Sequence, residues 1–241
     1  FNALCFEDSS VFIDTSTFFN NPLNLNWDFG DGNTDSGDSV IHYYATSGTY
    51  DVTLKVTDDK GCIDSIEKSI LISDLPTAGF LADSVCPGSL TSFTDYSTYN
   101  LNNISSWSWD FGDNAGVSTI QNPLYTYASA GNFDVLLEVT DIKGCKDTIL
   151  KSVLVYQEPI ALFDLNAICV KDSSAFIDTS TFFNNLISWD WNFGDGNTSS
   201  GDSVIHIYTT SGAFDVTLNI TDDKGCIDSI TKSIFIEDIP T

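Results

Sequence analysis

The chain of 241 residues carries 34 acidic residues against nine lysines and no arginine, a formal charge of −25. That balance disfavours nucleic acid and anionic membrane as partners, because both repel a dense negative surface. It also removes the side chain best suited to forked recognition of carboxylate or phosphate. No apolar run is long enough to span a membrane, and no basic segment precedes an apolar one as in a secretory leader.

In chain order, the first predicted elements are a strand at Val11-Phe12-Ile13 and a loop from Thr17 to Asn26 that mixes Phe18-Phe19 with turn formers. Trp27-Asp28-Phe29 follows as a central strand. Its two aromatics sit two apart and so share a face, and Gly30-Asp31-Gly32-Asn33 turns the chain back. Tyr50, Val52, Leu54 and Val56 then alternate with polar residues in a half-buried strand. The turn Asp58-Asp59-Lys60-Gly61 delivers Cys62, and Ile63 to Ile72 closes the unit, with Lys68 interrupting the apolar row. A bulge or a snorkelling lysine accounts for that interruption.

The set then returns. Trp27-x-Phe29 reappears as Trp109-x-Phe111 and Trp191-x-Phe193, a step of 82 residues each time. A period of this length predicts three small modules, at residues 1–75, 76–157 and 158–241, with the third nearly identical to the first at an offset of 164. Residues 1–5 match only the last part of the lead-in at 161–169, and Pro240-Thr241 matches Pro76-Thr77, so both ends are expected to lie inside a longer array.

Modules this small gain little spare stability from burial, so a covalent staple is expected. Cysteines fall as Cys5 and Cys62, Cys86 and Cys145, Cys169 and Cys226, one pair per module, with no CxxC and no histidine cluster to suggest zinc. One disulfide within each module, formed in an oxidising compartment, is the expectation.

Trp-Asp-Phe-Gly-Asp-Gly followed by Tyr-x-x-x-Gly-x-Tyr/Phe-x-Val-x-Leu (Tyr44 to Leu54, Tyr127 to Leu137, Tyr208 to Leu218) resembles the PKD (polycystic kidney disease) repeat. The added cysteine pair is similar to that of PKD repeats in very large secreted surface proteins of gliding-type bacteria. The resemblance implies an all-β fold of three tandem immunoglobulin-like sandwiches. It implies a structural or adhesive stalk segment of an extracellular, cell-surface protein, with neighbouring repeats, surface polysaccharide or protein as partners. Alternative readings are a polysaccharide- or protein-binding module and an accessory region of a secreted hydrolase.

Enzyme activity is not expected. His42 and His206 are the two histidines, the second module carries Tyr125 in their place, and no Gly-x-Ser-x-Gly elbow is present. No cofactor is expected apart from calcium, for which Asp31 and Asp195 are candidate ligands. The spacing departs from an EF-hand at its sixth and twelfth positions, Ser36 and His42, which leaves a polar hairpin turn as the simpler reading. Phe18, Phe19, Phe182 and Phe183 are candidates for a ligand-contacting loop. Asp followed by Ser or Thr and an aliphatic residue recurs at Ser39, Ser65, Ser84, Thr148, Ser203 and Ser229. This resembles an O-glycosylation signal of exported proteins in the bacterial group that gliding adhesins suggest, beside the plainer reading of ordinary strand alternation.

Overall fold

In the computed structural model, which describes residues 4–6, 8–17, 22–99, 103–166 and 169–238, every regular element is a β-strand. The fold is all-β and immunoglobulin-like. In the first repeat one sheet runs in the order Leu4–Cys5, Ile63–Ser73, Gly48–Asp58, Pro22–Asp28, Thr34–Ser36, and a second pairs Ser9–Ile13 with Ser39–Tyr43. The third repeat has a four-stranded sheet, Thr198–Ser200, Leu186–Asn192, Gly212–Asp222, Ile227–Ile236, and a three-stranded sheet, Phe163–Asn166, Ser174–Asp178, Ser203–His206. The second repeat has the same strand orders: Val117–Ser118, Ile104–Asp110, Gly131–Asp141, Lys146–Val155, and Leu124–Thr126, Leu90–Asp95, Phe80–Ala82.

Alternation along the long central strand builds each core. Val52 and Leu54, then Val135, Leu137 and Val139, then Val216, Leu218 and Ile220 are buried, while their intervening neighbours stay partly or fully exposed. In the third repeat these residues close on Phe163, Phe176 and Val204 of the opposite sheet. The Trp strand carries a register shift at the same place in every repeat, between Pro22 and Asn24, Ile104 and Ser106, and Leu186 and Ser188. A bulge there lets the strand entry bend away from the ladder. No bulge occurs at Lys68, since the pairing from Gly48↔Ile72 to Thr57↔Ile63 is continuous.

The described chain divides into two compact units. The first comprises Phe1–Leu81, Thr94–Pro123 and Val135–Lys151, and the second Ala82–Phe93, Leu124–Asp134 and Ser152–Thr241. The division runs through the second repeat.

The expected disulfide within each module is not what forms. Cys5 is bonded to Cys145 inside the first unit and Cys86 to Cys226 inside the second, each across a separation of 140 residues. Cys62 and Cys169 are unbridged. The reason lies in the closing strand. Cys5 pairs beside Ser73, at the end of Ile63–Ser73, whereas Cys62 immediately precedes the start of that 11-residue strand. At about 3.3 Å per residue the two cysteines of one repeat lie roughly 35 Å apart along it. A disulfide tolerates a Cα separation of about 7 Å at most. Cysteines at opposite ends of a module can only meet those of a neighbour, and the Cα–Cα distances across the bridges are 5.5 and 5.4 Å.

Candidate functional site

The Trp-x-Phe motif faces inward. Trp109, Trp191, Phe29, Phe111 and Phe193 are each about 1% exposed. The indole N–H groups of Trp27, Trp109 and Trp191 donate to the carbonyls of Gly37, Ile120 and Gly201 at 3.0, 2.9 and 2.9 Å. A buried indole with its one donor satisfied is a packing element.

The histidines belong to the same stack. His206 lies parallel to Phe193 with ring centres 4.0 Å apart, meets the edge of Tyr208, and holds Asp195 Oδ2 at 2.8 Å through Nε2. His42 does the same with Phe29, Tyr44 and Asp31. The Tyr44 and Tyr208 hydroxyls donate to the carbonyls of Phe29 and Phe193 at 3.1 and 3.0 Å. Burial, reinforced by the nearby aspartate, pushes both phenols far above their ordinary range.

Asp31 and Asp195, the calcium candidates, have their oxygens engaged. In each, Oδ1 accepts from the backbone N–H of Asn33 or Asn197, and Oδ2 takes both the asparagine side chain and the histidine. Burial is the largest influence on these carboxyls and pushes them up, but the hydrogen bonds together outweigh it and hold both below the ordinary carboxylate value. Among the described residues no group of three or more His, Cys, Asp or Glu side chains could hold a metal ion.

The candidate ligand loop is described in the third repeat only, as Phe18 and Phe19 lie outside the described residues. Phe182 and Phe183 are 54% and 57% exposed. Their loop is fixed behind them: Thr181 pairs with Ile160, Asn184 donates to Asp222 and to the carbonyl of Gln157, and Asn185 donates to Asp223. Two exposed phenyl rings on an anchored loop can stack on a sugar or insert into a protein partner at little entropic cost.

All six candidate glycosylation hydroxyls are exposed. The aspartate preceding two of them has work of its own. Asp147 and Asp228 accept the backbone N–H of Ala78 and Ala161 at 2.8 and 2.7 Å, which ties the entry of each repeat to its closing strand.

At the position of Lys68, Lys151 and Lys232 reach back across the sandwich. Each ammonium donates to the carbonyl of Phe80 or Phe163 and lies over that phenyl ring, 5.3 and 4.6 Å from its centre.

The cysteine sites recur in all three repeats. The second cysteine is held by an aspartate: Asp58, Asp141 or Asp222 Oδ1 accepts the backbone N–H of Cys62, Cys145 or Cys226, at 2.8 Å in every case. The first cysteine follows the parallel register of the closing strand, as seen in Cys5↔Ser73, Val85↔Val155 and Cys169↔Glu237. Sequence reasoning found the cysteines and missed their partners. It also missed the hydrogen bonds of Trp107 and Trp189 to Asp95 and Asp178, both 2.8 Å, for which the recurrence of tryptophan two residues before the core tryptophan was the available signal.

The PKD domain family model matches residues 10–72, 73–155 and 157–237. The chain is 34% identical over 135 residues to the pre-pro-metalloprotease PrtV of Vibrio cholerae, covering 55% of this chain and 14% of that protein. It is 25% identical over 197 residues to human polycystin-1, covering 78% of this chain and 4% of that one. It therefore spans a small fraction of the curated relatives it matches. Among solved structures, the PKD1 domain of Vibrio anguillarum Epp is 32% identical, with a TM-score of 0.33 and coverage of 34% of this chain and 98% of that domain. With the family model matched three times in succession over nearly its whole length, the chain belongs to the PKD domain family.

Proposed function

We propose that the chain is a structural and adhesive stalk segment of a large extracellular bacterial surface protein, in the manner of gliding or attachment adhesins. Its modules run over residues 1–75, 76–157 and 158–241, and neighbouring repeats are their principal partners. The observation that carries this reading is the pair of bridges between successive repeats. A tether loaded from its ends gains from covalent links that bypass the folded modules, and a catalytic or hormone-like module does not need them. The excess of acid suits a solvated extracellular surface, and Ser39, Ser65, Ser84, Thr148, Ser203 and Ser229 are exposed acceptors for O-glycans on it.

The test is end-to-end pulling of single molecules. With both bridges intact the shortest covalent route between Cys5 and Cys226 passes through the segment from Cys86 to Cys145. Full extension should then stop near about 270 Å, against roughly 800 Å after reduction, at about 3.4 Å per residue. Oxidised chains that extend as far as reduced ones would remove the basis of the reading.

A second reading is an accessory region beside a hydrolase. It is favoured by the similarity to PrtV and, at 25% identity over 200 residues, to collagenase ColA of Clostridium perfringens. In that setting the exposed Phe182-Phe183 loop would contact polysaccharide or protein. Saturable binding to an insoluble glycan or to collagen, abolished by Phe182→Ala with Phe183→Ala, favours this reading over a passive stalk.

A further inference from the structure

We propose that one edge strand of each repeat is a docking site: Ser39–Tyr43 in the first, Leu124–Thr126 in the second and Ser203–His206 in the third. Each takes up, as an added strand, an extended segment of a basic partner protein in which aliphatic and basic residues alternate. The proposal goes beyond the stalk reading, which stands with or without it, and does not involve the Phe182-Phe183 loop.

Each of these strands ends the smaller sheet of its repeat, and among the described residues no strand pairs with it on the far side. The phase of the pairing shows which backbone groups are left over. In the third repeat the Asp178 N–H donates to the Asp202 carbonyl, and the register runs on without a shift to Ser174↔His206. Val204 and His206 therefore exchange bonds with Phe176 and Ser174, while the N–H and C=O of Ser203 and Ile205 point away from the sheet. In the first repeat the Asp14 N–H donates to the Asp38 carbonyl, which sets the same phase and leaves Ser39 and Ile41 unpaired at the edge.

The same residues carry exposed apolar side chains. Ile205 is 70% exposed, Ile41 57% and Leu124 61%, and the row continues through Ile207 and Tyr43. Because it recurs in all three repeats, this exposure does not depend on a repeat's place in the chain. The devices that commonly blunt an edge are missing: Ser39–Tyr43 and Ser203–His206 contain no lysine or proline, and their pairing has no bulge. Other edges of the same sandwiches do have protection. Thr34–Ser36 and Thr198–Ser200 are three residues long and wholly hydrophilic, and Phe163–Asn166 carries the exposed Asp164.

Charge selects the occupant. On the other face of the strand from Ile205, His206 holds Asp195, and the exposed Asp202 immediately precedes the strand; His42, Asp31 and Asp38 repeat this arrangement in the first module. An added strand lays every second residue beside the aliphatic row and the remainder beside these carboxylates. Aliphatic residues in the first set and lysine or arginine in the second match both rows, while main-chain bonds to the free edge supply affinity. A second copy of this chain, pairing edge to edge, would bring these aspartates against their own equivalents in a chain of charge −25. Like charges placed across strands are destabilising.

The experiment titrates the oxidised 241-residue chain into a fluorescent short peptide of alternating valine and lysine, in salt sufficient to screen long-range attraction. A valine placed opposite Ile205 turns its own N–H toward the edge, and the neighbouring lysines turn theirs away. Anisotropy should therefore show saturable binding that survives N-methylation of the lysines and weakens roughly tenfold or more on N-methylation of the valines, at equal charge and apolarity. Hydrogen exchange should slow along Ser39–Tyr43 and Ser203–His206 when the peptide is bound. The variant Ile41→Glu, Leu124→Glu, Ile205→Glu adds negative charge at exposed positions and should nonetheless bind more weakly. Equal binding of the two methylated peptides, a glutamate variant that binds as well as or better than the parent, absence of saturable binding, or self-association of the chain through these strands would each overturn the proposal.

Discussion

Replacing Gly194 by alanine should open the third repeat locally, and replacing Gly196, two residues away, should do so far less. Both glycines have positive φ, 78° and 94°, and belong to the turn that ends the Trp strand. A side chain there costs about 1–2 kcal/mol for the left-handed backbone alone. The two positions differ in what a new Cβ would meet. At Gly196 nothing lies within 4 Å, whereas at Gly194 the Cβ would fall 2.6 Å from the Asp215 carbonyl oxygen and 2.8 Å from its nitrogen. Those atoms cannot retreat, because Asp215 is in register with Ser233 and precedes the fully buried Val216. Overpacking of this kind adds about 2 kcal/mol. Since every 1.4 kcal/mol is tenfold, the difference between the two variants corresponds to roughly a thirtyfold change in local opening. Hydrogen exchange read by mass spectrometry on peptides covering Gly212–Asp222 measures it directly. Equal acceleration of exchange in the two variants would refute the close-approach argument.

Lys232→Met keeps the stem packed on Phe163 and removes the bond to its carbonyl, and urea unfolding of the third repeat should register a loss of about 1–2 kcal/mol. Asp31 and Asp195 have folded values below the ordinary carboxylate value, so the stability they contribute is complete above about pH 4 and is lost as the pH falls through the lower folded value. Asp31→Asn with Asp195→Asn should therefore flatten the acid limb of a thermal-stability profile, and an unchanged limb would count against those carboxyls.

The fold was legible because each central strand obeys a two-residue period and ends at a Gly-Asp turn, and because the pattern returns three times. The tryptophans and histidines were readable as core for the same reason: exchange of His42 and His206 with Tyr125 marks a packing position, and the stacks on Phe29 and Phe193 bear that out. The lysine interruption is not a bulge at Lys68, and at the equivalent positions the Lys151 and Lys232 ammoniums bond the carbonyls of Phe80 and Phe163. The disulfide partners were not legible by counting. One pair per module suggests closure within the module, and only the position of Cys5 and Cys62 at opposite ends of one strand excludes it.

The loops closed by the two bridges overlap, one running from residue 5 to 145 and the other from 86 to 226. Every peptide bond between Cys5 and Cys226 lies inside at least one of them. A protease that nicks any single bond in that span, including the proline-bearing joints between repeats, therefore leaves one covalent body whose halves stay attached. Loss of material requires a second cut within the same loop or reduction of a bridge, so the array degrades only by coincidence of two events. Separate bridges inside each module would leave both joints as points of single-hit failure.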